Sequence, residues 1–242
     1  MTSGFKERML ASAARKGSRV VLALDFSDPY ERRLPRAVEV LGATRGKIAA
    51  VKVNHHLLLP FGLRGLGKLV DMCKEEGLPL IADLKLNDIE STNLNAVESL
   101  MDHGFDAVIA NPFVGKEEGL GKVIDQVHSR SGGVILLVYM SHRGAEEGYS
   151  LRLEGGEPMH RVFAERARDW GADGIIVSAR SDEMIREARA IVGKDCLIIS
   201  PGVGSQGGSP GNAIKAGADF LVVGRSITDA PRPAEALSEF QG

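Results

Sequence analysis

The chain is poor in cysteine, in aromatic residues and in long apolar runs. Its 242 residues include only two cysteines, Cys73 and Cys196, and aromatic side chains make up 5%. Because the cysteines are far apart and form no CxxC motif, we expect two buried thiols rather than a disulfide or a metal site. The longest aliphatic run, residues 134–140, is far shorter than the roughly 20 residues of a membrane helix, and no apolar signal core follows the first methionine. We therefore expect a cytoplasmic protein that does not bind membranes.

Neither sign of charge is in excess. The chain has 30 lysines and arginines against 32 aspartates and glutamates, a formal net charge of -2. This balance provides no general attraction to nucleic acid or to an anionic membrane surface, so we expect neither as a partner and any anion must bind at a local site. The hydrophobic fraction of 43% is typical of a folded globular chain.

Eight short apolar runs alternate with segments of helical spacing. Continuously apolar strands are typical of a parallel sheet covered on both faces, and eight βα units are the number that closes a barrel of about 250 residues. The pattern predicts an α/β fold, a (β/α)8 TIM barrel, with an open doubly wound sheet as the alternative. The predicted strands span residues 20–25, 48–53, 80–84, 107–110, 134–139, 174–178, 197–200 and 220–224.

Two segments fall outside this repeat. Residues 1–18 precede the first strand, and helical spacing of their apolar residues predicts an N-terminal helical extension that caps the bottom of a single barrel domain, residues 19–242. The residues with that spacing are Met9, Leu10, Ala13 and Ala14. Residues 141–159 are long for a loop between a strand and a helix, and we interpret them as a candidate lid, with a disordered surface insertion as the alternative.

A compact group of charged residues lies at the end of the third predicted strand and just after it. Asp83 and Lys85 are two positions apart and face the same way on a strand, while Asp88 follows at the start of the next helix. Two carboxylates can then flank one ammonium and favour its protonated form, so that the lysine acts as an acid. An ordinary ion pair is the alternative, with Asn87 or Asp88 capping the helix and Glu90 completing a capping box.

A second group consists of glycines after the seventh and eighth strands. Residues 201–211 read PGVGSQGGSPG, and Gly224 with Arg225 follow the last strand. Glycines there expose backbone N–H groups to an anion, and an arginine adds a bidentate contact, so we predict a phosphate site. A flexible glycine loop without a ligand is the alternative.

The histidines predict little chemistry. His55 and His56 follow the second strand and His142 follows the fifth, but no set of histidines and carboxylates has the spacing of metal ligands. We therefore expect no metal. Ser141 beside His142 does not form a nucleophile elbow of the GxSxG type, which argues against a catalytic triad.

Taken together, these motifs resemble those of the orotidine 5'-monophosphate decarboxylase family, and within it the compact archaeal form. The DxKxxD motif alone is less specific, because related barrels that act on sugar phosphates, such as 3-keto-gulonate 6-phosphate decarboxylase and hexulose phosphate synthase, have a similar one. The matching segments are residues 22–25, 51–53, 83–89, 141–142, 201–208 and 223–225.

The resemblance implies a decarboxylation of orotidine 5'-monophosphate to uridine 5'-monophosphate without a cofactor. It implies Lys85 as the proton donor to C6 of the pyrimidine, Asp83 close to the substrate carboxylate, and Lys52 in the same charge network. It also implies a homodimer in which Asp88, Ile89 and Thr92 reach the neighbouring subunit's site, with Asp88 among the catalytic residues.

The resemblance further implies a set of substrate-binding residues. Asp25 and Lys52 contact ribose hydroxyls, Ser141 binds the pyrimidine edge, and Gln206 bridges base and phosphate. Gly224 and Arg225 hold the phosphate. The rest of the implied set comprises Pro201, Gly202, Val203 and Gly207.

Two departures and two competing functions accompany this interpretation. Arg143 stands where a proline is common in the family, and the segment up to Gly156 is longer than in its shortest members, which leaves the roles of Arg143 and Arg152 open. A metal-dependent sugar-phosphate decarboxylase or aldolase is the alternative enzyme. A catalytically silent nucleotide-binding protein is expected to have lost Lys85 or one of its aspartates, and this chain keeps them all.

Overall fold

The computed structural model of the protein describes residues 4–241, apart from the side chain of residue 205. Eight parallel strands follow one another around a closed barrel, and β1 pairs with β8. This pairing confirms the TIM barrel and rules out the open sheet. Residues 1–3 of the predicted extension and residue 242 of the predicted barrel lie outside the described residues. The strands are β1 Val20–Ala23, β2 Ala50–Asn54, β3 Leu80–Leu86, β4 Ala107–Ala110, β5 Gly133–Tyr139, β6 Gly174–Val177, β7 Leu197–Pro201 and β8 Phe220–Val223.

Helices surround the barrel and connect successive strands. The twelve α-helices found in residues 4–241 are α1 Phe5–Lys16, α2 Tyr30–Thr44, α3 His55–Gly65, α4 Gly67–Glu76, α5 Glu90–Asp102, α6 Gly121–Ser129, α7 Glu146–Tyr149, α8 Met159–Trp170, α9 Asp182–Val192, α10 Pro210–Ala216, α11 Arg225–Thr228 and α12 Pro233–Ser238. Within this part of the chain, no helix is both long and apolar enough to cross a membrane.

Alternation along the strands separates two apolar cores. Val21 and Ala23 of β1 belong to the cluster inside the barrel, whereas Val20 and Leu22 belong to the cluster between the sheet and the helices. Successive side chains of a strand point to opposite faces, and both faces are covered here. This double burial is the physical reason why the strands read as continuously apolar.

Helix α1 packs against the barrel interior. Phe5 and Met9 are fully buried within the interior cluster, and a Cβ on Gly133 would collide with the Phe5 ring. Leu10 and Ala14, which share the helical spacing of Met9, are instead exposed. The helical spacing of the apolar residues therefore did not identify Phe5, which is fully buried in this contact. The domain division at residue 18 stays a prediction.

The segment after β5 is folded rather than disordered. It contains a 3-10 turn, Arg143–Ala145, and helix α7, followed by a bridge between Arg152 and Pro158. The backbone N–H of Met159 donates to the carbonyl of Leu151 at 2.8 Å, which closes this bridge. The segment stands beside the carboxyl ends of the strands, and its role as a lid stays a prediction.

Both cysteines are buried as free thiols. Burial raises the pKa of Cys73 and of Cys196 to about 12, so neither thiol ionises at neutral pH. The expectation of buried thiols is confirmed.

Candidate active site

A cavity of about 250 Å³ opens at the carboxyl ends of the barrel strands. Polar side chains from six of the eight strand ends or the loops after them surround it, while its floor is apolar. The residues that the sequence predicted and that line this cavity are Asp25, Lys52, Asp83, Lys85, Ser141, Pro201, Gly202, Val203, Gln206, Gly224 and Arg225. Four predicted residues do not line it, namely Asp88, Ile89, Thr92 and Gly207.

A chain of alternating charges runs across the cavity. Asp83 Oδ2 lies 2.7 Å from Nζ of Lys52, and Asp83 Oδ1 lies 2.7 Å from Nζ of Lys85. Lys52 Nζ is also 3.8 Å from Asp25 Oδ1. One carboxylate therefore accepts hydrogen bonds from two ammonium groups, and Lys52 joins it to a second carboxylate.

These contacts keep the buried groups charged. Burial works to raise the pKa of Asp83, but the neighbouring Lys52 and Lys85 ammonium groups outweigh it and lower that pKa to about 2. Burial likewise works to lower the pKa of Lys52, but Asp83 and Asp25 leave it above its ordinary value. Asp83 is therefore an anion and Lys52 a cation throughout the neutral pH range.

The backbone at Lys85 is strained. Its φ angle is +49°, in the left-handed region that non-glycine residues rarely adopt, and the pairing of β3 with β4 shifts register between Ala82 and Leu86. Such a conformation costs on the order of 1–3 kcal/mol and occurs preferentially at functional sites. Here it accompanies a lysine whose side chain, one third exposed, points into the cavity.

The position of Asp88 differs from the sequence prediction. Among the described residues Asp88 forms no ion pair with Lys85; its Oδ1 accepts a hydrogen bond from the Ile89 N–H at 2.7 Å. Asp88, Ile89 and Thr92 are all exposed. The expectation that two carboxylates flank Lys85 is therefore wrong within a single chain, because the loop after β3 carries Asp88 out of the cavity.

The alternative capping box is not formed either. The N-cap of α5 is Ile89, whose side chain cannot accept a hydrogen bond. Glu90 instead accepts a hydrogen bond from Lys122 at 2.8 Å. This leaves Asp88 without a helix-capping role in the described structure.

The glycine-rich segment after β7 is a tight turn against its neighbours. Gly202 has a φ angle of +101°, and a Cβ there would lie 3.1 Å from Cβ of Ser141. A Cβ on Gly208 would lie 2.6 Å from the carbonyl oxygen of Gly202. Glycine is therefore required at these two positions. Gly207 ends the short turn Gly204–Gln206 and shapes the segment from outside the cavity.

The sequence analysis missed two polar residues, one that lines the cavity and one that contacts a lining residue. Asn54, the last residue of β2, donates from Nδ2 to Asp25 Oδ1 at 2.6 Å and accepts from the His56 N–H. Its place at a strand end, two residues after Lys52, was the signal that could have identified it. Arg180, after β6, donates to the carbonyl of Ser141 at 3.1 Å, a long-range contact with no local sequence signal.

The floor of the cavity belongs to the barrel interior. Five aliphatic side chains form it, contributed by β1, β4, β5, β6 and β8. They are Ala23, Ile109, Leu137, Ile176 and Val222. An apolar floor lowers the local dielectric constant and strengthens the interactions among the charges above it.

Of the three histidines that follow predicted strands, only one lines the cavity. His142 lines the cavity, whereas His55 and His56 begin helix α3 and are exposed. Within residues 4–241, no three histidine, cysteine, aspartate or glutamate side chains are grouped as they would be around a metal ion.

Comparisons with known proteins agree with this geometry. Residues 18–240 match the model of the orotidine 5'-phosphate decarboxylase / HUMPS family. The chain is 38% identical over 220 residues to orotidine 5'-phosphate decarboxylase of Pyrococcus furiosus, covering 91% of this chain and 94% of that protein. All the archaeal relatives compared are 33% to 38% identical to it.

Solved structures agree as well. Orotidine 5'-phosphate decarboxylase of Pyrococcus horikoshii is 34% identical with a TM-score of 0.74, covering 92% of this chain and 99% of that one. The enzyme of Methanocaldococcus jannaschii, solved with the inhibitor BMP, is 25% identical with a TM-score of 0.77, covering 93% and 97%. The family that the sequence motifs predicted is confirmed: this chain belongs to the orotidine 5'-phosphate decarboxylase / HUMPS family.

Proposed function

We propose that the protein converts orotidine 5'-monophosphate to uridine 5'-monophosphate and carbon dioxide without a cofactor, as a cytoplasmic enzyme of pyrimidine biosynthesis. The observation that carries this proposal is the hydrogen-bonded chain of Lys52, Asp83 and Lys85 above an apolar floor. Family membership supports the same reaction, since the relatives named above are orotidine 5'-phosphate decarboxylases.

The proposed chemistry follows from the charges. Breaking the bond between C6 and the carboxyl carbon releases carbon dioxide and leaves the electron pair on C6, where the pyrimidine ring cannot delocalise it well. A fixed ammonium next to that carbon stabilises the developing negative charge, and Lys85 then transfers a proton to C6. Asp83, held ionised by its two lysines, lies beside the reacting carboxylate and keeps Lys85 in position.

The substrate-binding roles follow the order of the strands. Asp25 and Lys52 bind the ribose hydroxyls, Ser141 binds the edge of the base, and Gln206 bridges base and phosphate. The turn after β7 and the end of β8 hold the phosphate through Pro201, Gly202, Val203, Gly224 and Arg225, and Gly207 supports the shape of that turn from outside the cavity. Binding energy from the phosphate, remote from C6, then helps to hold the reacting carboxylate against Asp83.

We include a homodimer in this proposal. Ile89 is 62% exposed, and Leu59 and Phe113, from the segments after the two adjacent strands, are 76% and 64% exposed. Three large apolar side chains on neighbouring segments are costly in water and are typical of a surface that another subunit covers. Asp88 and Thr92 lie on the same loop and helix as Ile89, so the same contact brings them to the neighbouring site.

The first experiment follows the ultraviolet absorbance of orotidine 5'-monophosphate with the purified protein in excess chelator. We expect loss of the orotate band and formation of uridine 5'-monophosphate, because the proposed step uses only side-chain charges. No change in the band, followed by activity on a sugar phosphate after magnesium is restored, would transfer the assignment to a metal-dependent sugar-phosphate decarboxylase or aldolase.

The phosphate role of Arg225 makes a separate prediction. We expect Arg225→Ala to raise KM and to lower kcat/KM by roughly 30- to 150-fold, equivalent to about 2 to 3 kcal/mol for a lost charged contact. Arg232, the residue before α12, is a matched control, since it is exposed and its only ion pair among the described residues is with Glu235. Steady-state kinetics of both variants test this. An unchanged KM in Arg225→Ala would place the phosphate elsewhere.

A further inference from the structure

Hydrogen bonds join the segment after β1 to helix α11. Thr228 is fully buried at the end of α11, and its Oγ1 donates to the backbone carbonyl of Asp25 at 2.5 Å. Ser27 Oγ donates to Asp229 Oδ2 at 2.8 Å, a second connection between the same two segments. Strands β1 and β8 are neighbours in the closed barrel, so these contacts join adjacent strand ends.

Hydrogen bonds also connect the end of α11 to helix α2. The Arg36 guanidinium donates to the carbonyls of Thr228 and Ala230, at 3.2 and 2.7 Å. Helix α11 has only four residues, so these external contacts hold it more firmly than its own hydrogen bonds can. Arg225, its first residue, is thereby held at a set position relative to Asp25.

We propose that Thr228 is a positioning residue that sets the distance between the ribose-binding Asp25 and the phosphate-binding Arg225, and so selects a ribose that carries a 5'-phosphate. This inference rests on the proposed function for the roles of those two residues. Thr228 itself does not line the cavity. It acts through the backbone of Asp25 and through the helix that begins at Arg225.

Thr228 does not hold the Asp25 carboxylate, which is the group proposed to contact the ribose. Asn54 Nδ2 holds Asp25 Oδ1 at 2.6 Å and Lys52 lies 3.8 Å from the same atom, and neither contact involves Thr228. Loss of the Thr228 hydroxyl therefore leaves the carboxylate of Asp25 oriented. What it removes is the connection between Asp25 and α11, which matters only for a ligand that spans both.

The test compares Thr228→Val with the wild-type protein by calorimetry, using uridine 5'-monophosphate directly and uridine by competition. We expect Thr228→Val to weaken the nucleotide by about five- to tenfold, the effect of one lost hydrogen bond. Affinity for uridine is expected to stay within about twofold of wild type, and Thr228→Ser is expected to restore nucleotide affinity. A general loss of packing would not discriminate between the two ligands.

Thr44 provides a matched control. It is a buried threonine whose Oγ1 donates to the backbone carbonyl of Val40 at 2.7 Å, at the opposite end of α2 from the site. Thr44→Val therefore makes the same chemical change and is expected to leave nucleotide affinity unchanged. Equal weakening by Thr44→Val and Thr228→Val, or equal weakening of nucleotide and uridine, would overturn the inference.

Turnover by the wild-type protein separates the two possible failures. If orotidine 5'-monophosphate is consumed but Thr228→Val binds the nucleotide as wild type does, the inference fails and the proposed function stands. If the wild-type protein does not consume it but Thr228→Val selectively weakens nucleotide binding, the proposed function fails and the positioning role stands.

Discussion

Replacement of Lys85 by alanine is expected to abolish turnover of orotidine 5'-monophosphate while the affinity for uridine 5'-monophosphate changes only a few-fold. The substitution removes both the cation next to C6 and the proton donor, which together are expected to cost at least about 10⁴-fold in kcat. Nucleotide binding survives because the groups proposed to hold the ribose and the phosphate remain. Asp83 also keeps its other partner, Lys52, at 2.7 Å.

The measurement is a single-turnover rate together with a calorimetric dissociation constant. Lys47 is a matched control, because it is an exposed lysine before β2, at the opposite end of the barrel from the cavity. Lys47→Ala is expected to retain the wild-type rate. Near wild-type turnover by Lys85→Ala would rule out Lys85 as the proton donor. Loss of nucleotide binding in parallel with turnover would show instead that the variant has lost the site as a whole.

The fold and most of the cavity lining could be predicted because one physical rule connects them to the sequence. A strand buried on both faces is continuously apolar, so the first polar residues after it mark its carboxyl end. Asp83 and Arg225 were identified in this way, the family resemblance added Asp25, Lys52 and Ser141, and all five line the cavity.

What the sequence could not predict depends on backbone conformation and on contacts between distant segments. The left-handed conformation of Lys85 and the register shift in β3 redirect the chain, so that Asp88 leaves the cavity although it is only three residues on. The hydrogen bond from Thr228 to Asp25 spans 203 positions and that from Arg180 to Ser141 spans 39. Neither has a local pattern from which it could be inferred.

The exposed position of Asp88 leads to a second prediction, that two inactive variants recover activity when their subunits are mixed. Lys85→Ala and Asp88→Ala are each expected to lose nearly all turnover alone, because each lacks one essential group in both sites of a dimer. Mixed in equal amounts, the two variants are expected to recover roughly a quarter of wild-type activity. Random exchange makes half of the dimers hybrids, and each hybrid has one site with both groups, if Asp88 serves the neighbouring subunit.

A second mixture provides the control for this result. Asp83 and Lys85 are 2.7 Å apart within one chain, so they belong to the same site in the same subunit. A hybrid of Asp83→Ala with Lys85→Ala therefore contains no intact site, and we expect no recovery. With subunit exchange verified by mass spectrometry, absence of recovery in both mixtures would mean that Asp88 acts within its own chain. The loop after β3 would then have to fold back over Lys85 when substrate binds.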